Sequence, residues 1–166
     1  MPARVVRVAR AVAVSWVFLV VVGCGGVAPR PGPGEAAQAR VLSFRVLDSG
    51  AQSGITSPQE RVVGGAEEWE RLWQAHQARG FPRRLLPAVD FVRELCIAIV
   101  VGERPTGGFA VRVEQVVESA AGIEVVYRVT APAPGAIVSQ VLTSPFVMIS
   151  VARRPGAVRF RRLPES

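Results

Sequence analysis

Phe109-Ala110-Val111-Arg112-Val113-Glu114-Gln115-Val116-Val117 and, after five intervening residues, Ile123-Glu124-Val125-Val126-Tyr127-Arg128-Val129-Thr130 form the stretch on which the fold turns. Val111–Glu114 and Val125–Val129 come close to apolar–polar alternation, the period of a strand with one face buried. A connection this short predicts antiparallel neighbours. Working outward, Val41–Leu47, Glu60–Val63, Glu94–Val101, Ile137–Leu142, Phe146–Ala152 and Val158–Arg162 also read as strands. Gly102–Phe109 lies between two of them and reads as a hairpin-like turn. Gly and Pro together supply 29 residues, which suits a strand-rich chain broken by turns.

One segment departs from this pattern. In Ala66–Arg79, Glu67, Glu68 and Glu70 occupy the first turn, where the positive end of the helix macrodipole favours them. Arg79 and Gly80 close the segment. Trp69, Leu72, Trp73 and His76 recur at helical spacing, so a single face is predicted to lie on a sheet. The expected fold class is therefore α+β: a mainly antiparallel β sheet, sandwich- or barrel-like, with one amphipathic helix covering a face or an end.

The amino terminus carries a different message. Arg4, Arg7 and Arg10 precede an apolar run from Ala11 to Val22. A positive region followed by a short apolar region is the grammar of a secretory signal peptide. The run is 12 residues long, against about 20 for a membrane-spanning helix. It ends in Val21-Val22-Gly23-Cys24, which resembles a lipobox. The small residue before Cys24 admits a signal peptidase, and the thiol takes a diacylglyceryl group. Two acyl chains hold a protein stably to a membrane. Residues 1–23 thus read as a lipoprotein signal peptide, residues 24–39 as a Gly/Pro-rich tether and residues 40–166 as one domain. Pro31-Gly32-Pro33-Gly34 excludes helix and strand within the tether, whose coil reach is roughly 20 Å. The expected location is extracytoplasmic, lipid-anchored to the cell membrane or outer membrane. Gly25 lacks the aspartate that often retains lipoproteins in an inner membrane, which in a diderm host favours the outer one.

Charge excludes one class of partner. All 20 basic residues are arginine, a pattern expected of GC-rich coding, and three of them belong to the signal peptide, lowering the formal net charge of +7 by three. Arg83-Arg84, Arg153-Arg154 and Arg161-Arg162 are separated pairs. A nucleic-acid binder needs a dense basic patch, so none is expected here.

Catalytic grammar is sparse. His76 is the one histidine, and it is assigned to a helix face; no paired aspartates, metal-spaced cluster or phosphate-cradling loop accompanies it. The expectation is a protein that is not an enzyme, with no catalytic residues, no metal and no cofactor. With Cys24 lipidated, Cys96 has no partner within the chain, so no disulfide is expected and Cys96 reads as a small core residue. The segment richest in special residues is Arg104-Pro105-Thr106-Gly107-Gly108-Phe109. Proline fixes one backbone angle and adjacent glycines reach conformations closed to other residues. A rigid exposed loop presenting Arg104, Pro105, Thr106, Gly107, Gly108 and Phe109 to a partner is the functional reading.

The order of Glu67–Trp73, Pro87–Phe91, Gly102–Phe109, Pro132-Ala133-Pro134-Gly135 and Thr143-Ser144-Pro145-Phe146 resembles the PrcB C-terminal domain family, from about Arg40 onward. Phe109 stands where a tyrosine is usual. Members of that family are often lipoproteins, and its namesake is an accessory subunit of a surface subtilisin-like protease complex. The resemblance implies a non-catalytic accessory or protein-binding role, with a secreted or surface protease as the partner class. Arg104–Phe109 is also similar to a loop of chagasin-like inhibitors of cysteine proteases. Arg154-Pro155 matches part of a second loop of theirs, with Gly156 replacing its tryptophan. That resemblance implies protease inhibition instead. A small-ligand-binding envelope lipoprotein is the third reading.

Overall fold

The computed structural model describes residues 39–79 and 82–164. Cys24, the segment expected to be a signal peptide and the expected tether up to residue 38 lie outside the described residues. Eight strands run in chain order: β1 (Arg40–Leu42), β2 (Phe44–Gly50), β3 (Gln59–Val63), β4 (Glu94–Val100), β5 (Ala110–Ser119), β6 (Gly122–Thr130), β7 (Phe146–Ala152) and β8 (Ala157–Leu163). Between β3 and β4 lies helix α1 (Ala66–His76), extended by a 3-10 turn over Gln77–Arg79. The strands form two four-stranded sheets, ordered β1-β5-β6-β8 and β2-β7-β4-β3. They face each other as a sandwich; neither closes into a barrel.

β5 and β6 pair antiparallel as the alternation predicts, through Val111↔Val129 and Val116↔Val125, with a bulge between Val113 and Gln115. Their inward residues, including Val111, Val113, Val116, Val125 and Val129, meet Leu95, Ile97, Ile99, Val147, Ile149 and Val151 of the other sheet. The opposite face of β4 and β7 presents Cys96, Ala98, Val100, Phe146 and Met148 to Trp69, Leu72 and Trp73 of α1. These two strands are covered on both faces, which is why they read as unbroken apolar runs rather than alternating ones. Cys96 is a fully buried free thiol within this second core. Burial and the nearby Glu94 carboxylate push its pKa up to about 12, so it packs as a small hydrophobe.

Three expectations are corrected and one pairing is new. Val41–Leu47 is two strands, because the chain changes sheets at Ser43: β1 joins β5 while β2 joins β7. Gly102–Phe109 is no hairpin turn but a crossover, since β4 and β5 lie in different sheets. Ile137–Leu142 forms no strand; Ile137 is fully exposed and Val141 and Leu142 are largely so. Finally, β8 pairs with β6 in parallel. The chain passes through β7 in the opposite sheet before returning, so it arrives at β6 from the same end.

A candidate docking site of two clamped loops

The crossover 101–109 and the long connection 131–145 are fastened to each other by backbone. The Arg104 amide donates to the Thr143 carbonyl (2.7 Å), and the Thr143 amide returns a bond to Arg104 (2.9 Å). The Gly107 amide donates to the Ser139 carbonyl at 2.9 Å. Thr143 Oγ1 donates to the Thr106 carbonyl at 2.8 Å. The Val101 amide donates to Pro145 (2.9 Å), so the crossover is tied at its root as well. Gly107 packs so closely that a Cβ would stand 2.3 Å from Ser139 Oγ, which explains a glycine there. Gly108 has a φ of +87°, in the left-handed region, and a Cβ would meet Pro132 and Val138 at 2.9 Å.

The six residues singled out in the crossover are therefore not equally available. Pro105 and Gly108 are exposed; Arg104, Thr106 and Phe109 are half-buried, and Gly107 is buried. Arg104 is held in place: its guanidinium lies 5.7 Å from the Phe109 ring centroid and Nη2 donates to the Val101 carbonyl at 3.3 Å. The neighbouring loop presents what the crossover does not. Ile137 is fully exposed, Leu142 is 60 % exposed and Val141 50 % exposed. Their apolar character is the visible signal, and in an alternating segment it imitates a strand.

Beneath this pair lies a buried polar triplet. The β2 bulge between Val46 and Asp48 sets Asp48 opposite Met148, on the helix side of the sheet. There His76 Nε2 lies 3.2 Å from Asp48 Oδ2 and His76 Nδ1 lies 3.0 Å from Ser53 Oγ. A carboxylate only accepts, so Nε2 carries the proton of the neutral ring and Nδ1 accepts from the Ser53 hydroxyl. Arg84 Nη1 closes on the other oxygen of Asp48. The His76 ring packs 4.2 Å from Phe146 and 5.2 Å from Trp73, between centroids. Sequence reasoning assigned His76 to a helix face and missed Asp48 and Ser53, whose spacing carries no signal. Although Ser, His and Asp are in sequence of hydrogen bonds, Ser53 and His76 are each only 3 % exposed. The Ser53 hydroxyl oxygen also accepts from the Ile55 amide at 3.1 Å. The triplet works as a latch: it fixes 53–55 to the end of α1, and the Ser53 amide donates onward to Ser144 at 3.0 Å.

Burial lowers the His76 pKa below the ordinary 6.5; the hydrogen bond and charge of Asp48 oppose this, and Arg84 adds to it. The unfolded chain therefore takes up this proton first. Its contribution to stability is complete above 6.5 and is lost as pH falls from there toward the folded value. Thermal unfolding between about pH 7.5 and about pH 5.5 should show the midpoint falling with acid, and His76→Gln should flatten that dependence.

The model of the family described as PrcB C-terminal matches residues 95–152. That span begins in β4 and ends in β7, so it contains both clamped loops. No curated protein and no solved structure matches this chain.

Proposed function

From a chain that carries the PrcB C-terminal unit in residues 95–152, we propose a membrane-anchored extracytoplasmic lipoprotein that serves as a non-catalytic, protein-binding subunit of a secreted or surface protease complex. The observation that carries the protein-binding part is the loop pair. Ile137, Val141 and Leu142 stand in solvent on a segment held by the Ser139 and Thr143 bonds to the crossover. Exposed apolar groups on a preordered scaffold bury area in a complex with little ordering entropy to overcome. The family resemblance supplies the protease complex as the class of partner. Because the crossover lies against its neighbour, the two loops dock as a unit, with Leu142 rather than Thr106 at the contact.

The lipid anchor is tested separately from the contact. Cys24→Ser should move the protein from the membrane fraction to the soluble extracytoplasmic fraction on cell fractionation; unchanged membrane association would remove the anchor from the proposal. The contact is tested by capturing the native lipoprotein from gently solubilised membranes. A stoichiometric protease should co-purify with the wild type and fall about tenfold or more with Leu142→Asp. A capture free of protease, or one indifferent to Leu142→Asp, would dispose of the docking reading.

A further inference from the structure

The two ends of the sandwich differ. Strand β5 spans ten residues, Ala110–Ser119, which is about 30 Å at the usual rise of a strand. Its Ala110 end follows the crossover, so the clamped loops lie there. At its other end the chain enters the domain, with Arg40 opposite Glu118 in the β1–β5 ladder. The 90–93 turn and the β7–β8 connection gather at this entry end. Glu94 opposes Ala152, and the Arg153 amide donates to the Arg93 carbonyl at 2.7 Å. Arg154 Nε lies 3.2 Å from Glu118 Oε1, which ties the connection to the point of entry.

An open cleft of about 610 Å³ lies here, lined by Val92, Arg93, Arg153, Arg154 and Pro155. Val92 is 85 % exposed. Asp90 holds it outward: Asp90 Oδ1 accepts from the Val92 amide at 3.0 Å, and the Asp90 carbonyl accepts from the Arg93 and Glu94 amides at 2.9 and 2.7 Å. An apolar side chain thus stands on a rigid turn with guanidinium groups beside it. Arg93 meets Asp90 at 3.8 Å, a contact long enough to exchange for another anion. Arg153 Nη2 donates to the Gly64 and Phe91 carbonyls at 2.9 Å each, bonds that leave its charge in place. The start of α1 also lies at this end, where Glu67 and Glu68 are matched by Arg71 and Arg61 at 3.8 and 3.0 Å.

We infer that the entry end of the sandwich rests on the bilayer surface, with Val92 at the headgroup boundary and Arg93 and Arg153 on lipid phosphates, so that the clamped loops face away from the membrane. This rests on the lipid-anchor part of the proposed function. The expected tether, residues 24–39, has a coil reach of roughly 20 Å and runs into Arg40 at this end. To lay the clamped loops on lipid instead, it would have to stretch along the whole length of β5, beyond that reach. Tethering also raises the effective concentration of the surface, so a contact of low affinity suffices to orient the domain. Arginine suits the place, since its stem covers apolar surface while its head makes charge-assisted hydrogen bonds to phosphate. The partner is then met about 30 Å or more above the lipid, on a water-exposed protein surface.

The test reconstitutes the full-length lipidated protein into vesicles of phosphatidylethanolamine and phosphatidylglycerol that carry a nitroxide on some headgroups. A fluorophore is attached through Ala121→Cys, in the exposed β5–β6 turn of the entry end, or through Leu142→Cys. Cys96 is buried and stays unlabelled. Fluorescence at position 121 should be quenched and that at position 142 should not. Val92→Asp and, independently, Arg93→Glu should shift the orientation equilibrium about tenfold toward a lifted domain, and quenching at 121 should fall with it. Equal quenching at the two positions, or quenching at 121 indifferent to both substitutions, would overturn the inference. So would photo-crosslinking from position 92 to an envelope protein rather than to lipid, which would assign this end to a protein. Failure to float with the vesicles would overturn it through the anchor itself, and flotation reports that failure separately.

Discussion

Trp69→Ala is expected to lower stability by about 3–5 kcal/mol, a large share of the roughly 5–15 kcal/mol that holds a domain of this kind folded. Trp69 is 2 % exposed at the centre of the helix-side core. Its ring packs 5.5 Å from that of Trp73, and its Nε1 donates to the Pro87 carbonyl at 3.0 Å. Truncation would open a cavity between α1 and the β4–β7 face and leave the Pro87 carbonyl without this donor. Because Trp73 Nε1 similarly donates to Arg84 at 3.3 Å, the two indoles together carry the 84–87 segment across the helix. Chemical denaturation of the purified variant measures the loss. A change below about 1 kcal/mol would mean that α1 contributes little to the core.

Gly108→Val is expected to cost about 3 kcal/mol, combining left-handed backbone strain with overpacking. The φ of +87° is poorly suited to a β-branched residue, and the first added carbon already meets Pro132 and Val138 at 2.9 Å. Pro132 and Val138 belong to the partner loop, so relief of the clash pushes the two loops apart. The variant should therefore lose protein binding even at a temperature where it remains folded. Gly108→Ala separates the two terms, since it keeps the strain but adds fewer atoms. Unchanged thermal unfolding of Gly108→Val would show that the crossover is free to reshape.

The parts of the fold that were legible obey local rules. Val111–Glu114 alternates because one face meets the core and the other meets water, while in Val125–Val129 Val125, Tyr127 and Val129 face the core and Arg128 is half-exposed on the other side. Trp69, Leu72, Trp73 and His76 recur at helical spacing because a helix on a sheet buries one stripe. What was illegible depends on pairings distant in the chain. Nothing local in Val158–Arg162 tells that β8 lies parallel to β6, since that follows from β7 crossing to the opposite sheet. Ser43 is too slight a break to announce a change of sheet between β1 and β2. Ile137–Leu142 has strand-like composition, yet a strand needs a neighbour to satisfy its backbone, and here the clamp to the crossover takes that role.

The candidate site was half legible for the same reason. Gly107 and Gly108 marked the crossover through their conformational freedom, and the positive φ of Gly108 bears out that reading. The exposed apolar residues of 137–142 read as a strand, because exposure is not written in residue type. Asp48 and Ser53 became the partners of His76 only through a bulge and a loop closing against the helix end. No spacing between positions 48, 53 and 76 announces that meeting.

The central claim is that the clamped loops are the contact with a protein partner. Photo-crosslinking in the intact envelope tests it most directly, with the photoreactive residue placed at Leu142 or, for comparison, at Arg159 on the edge strand β8. The account predicts one discrete crosslinked product from position 142, identified by mass spectrometry as a secreted or surface protease, and little or none from position 159. Equal products from both positions, or none from position 142, would contradict it.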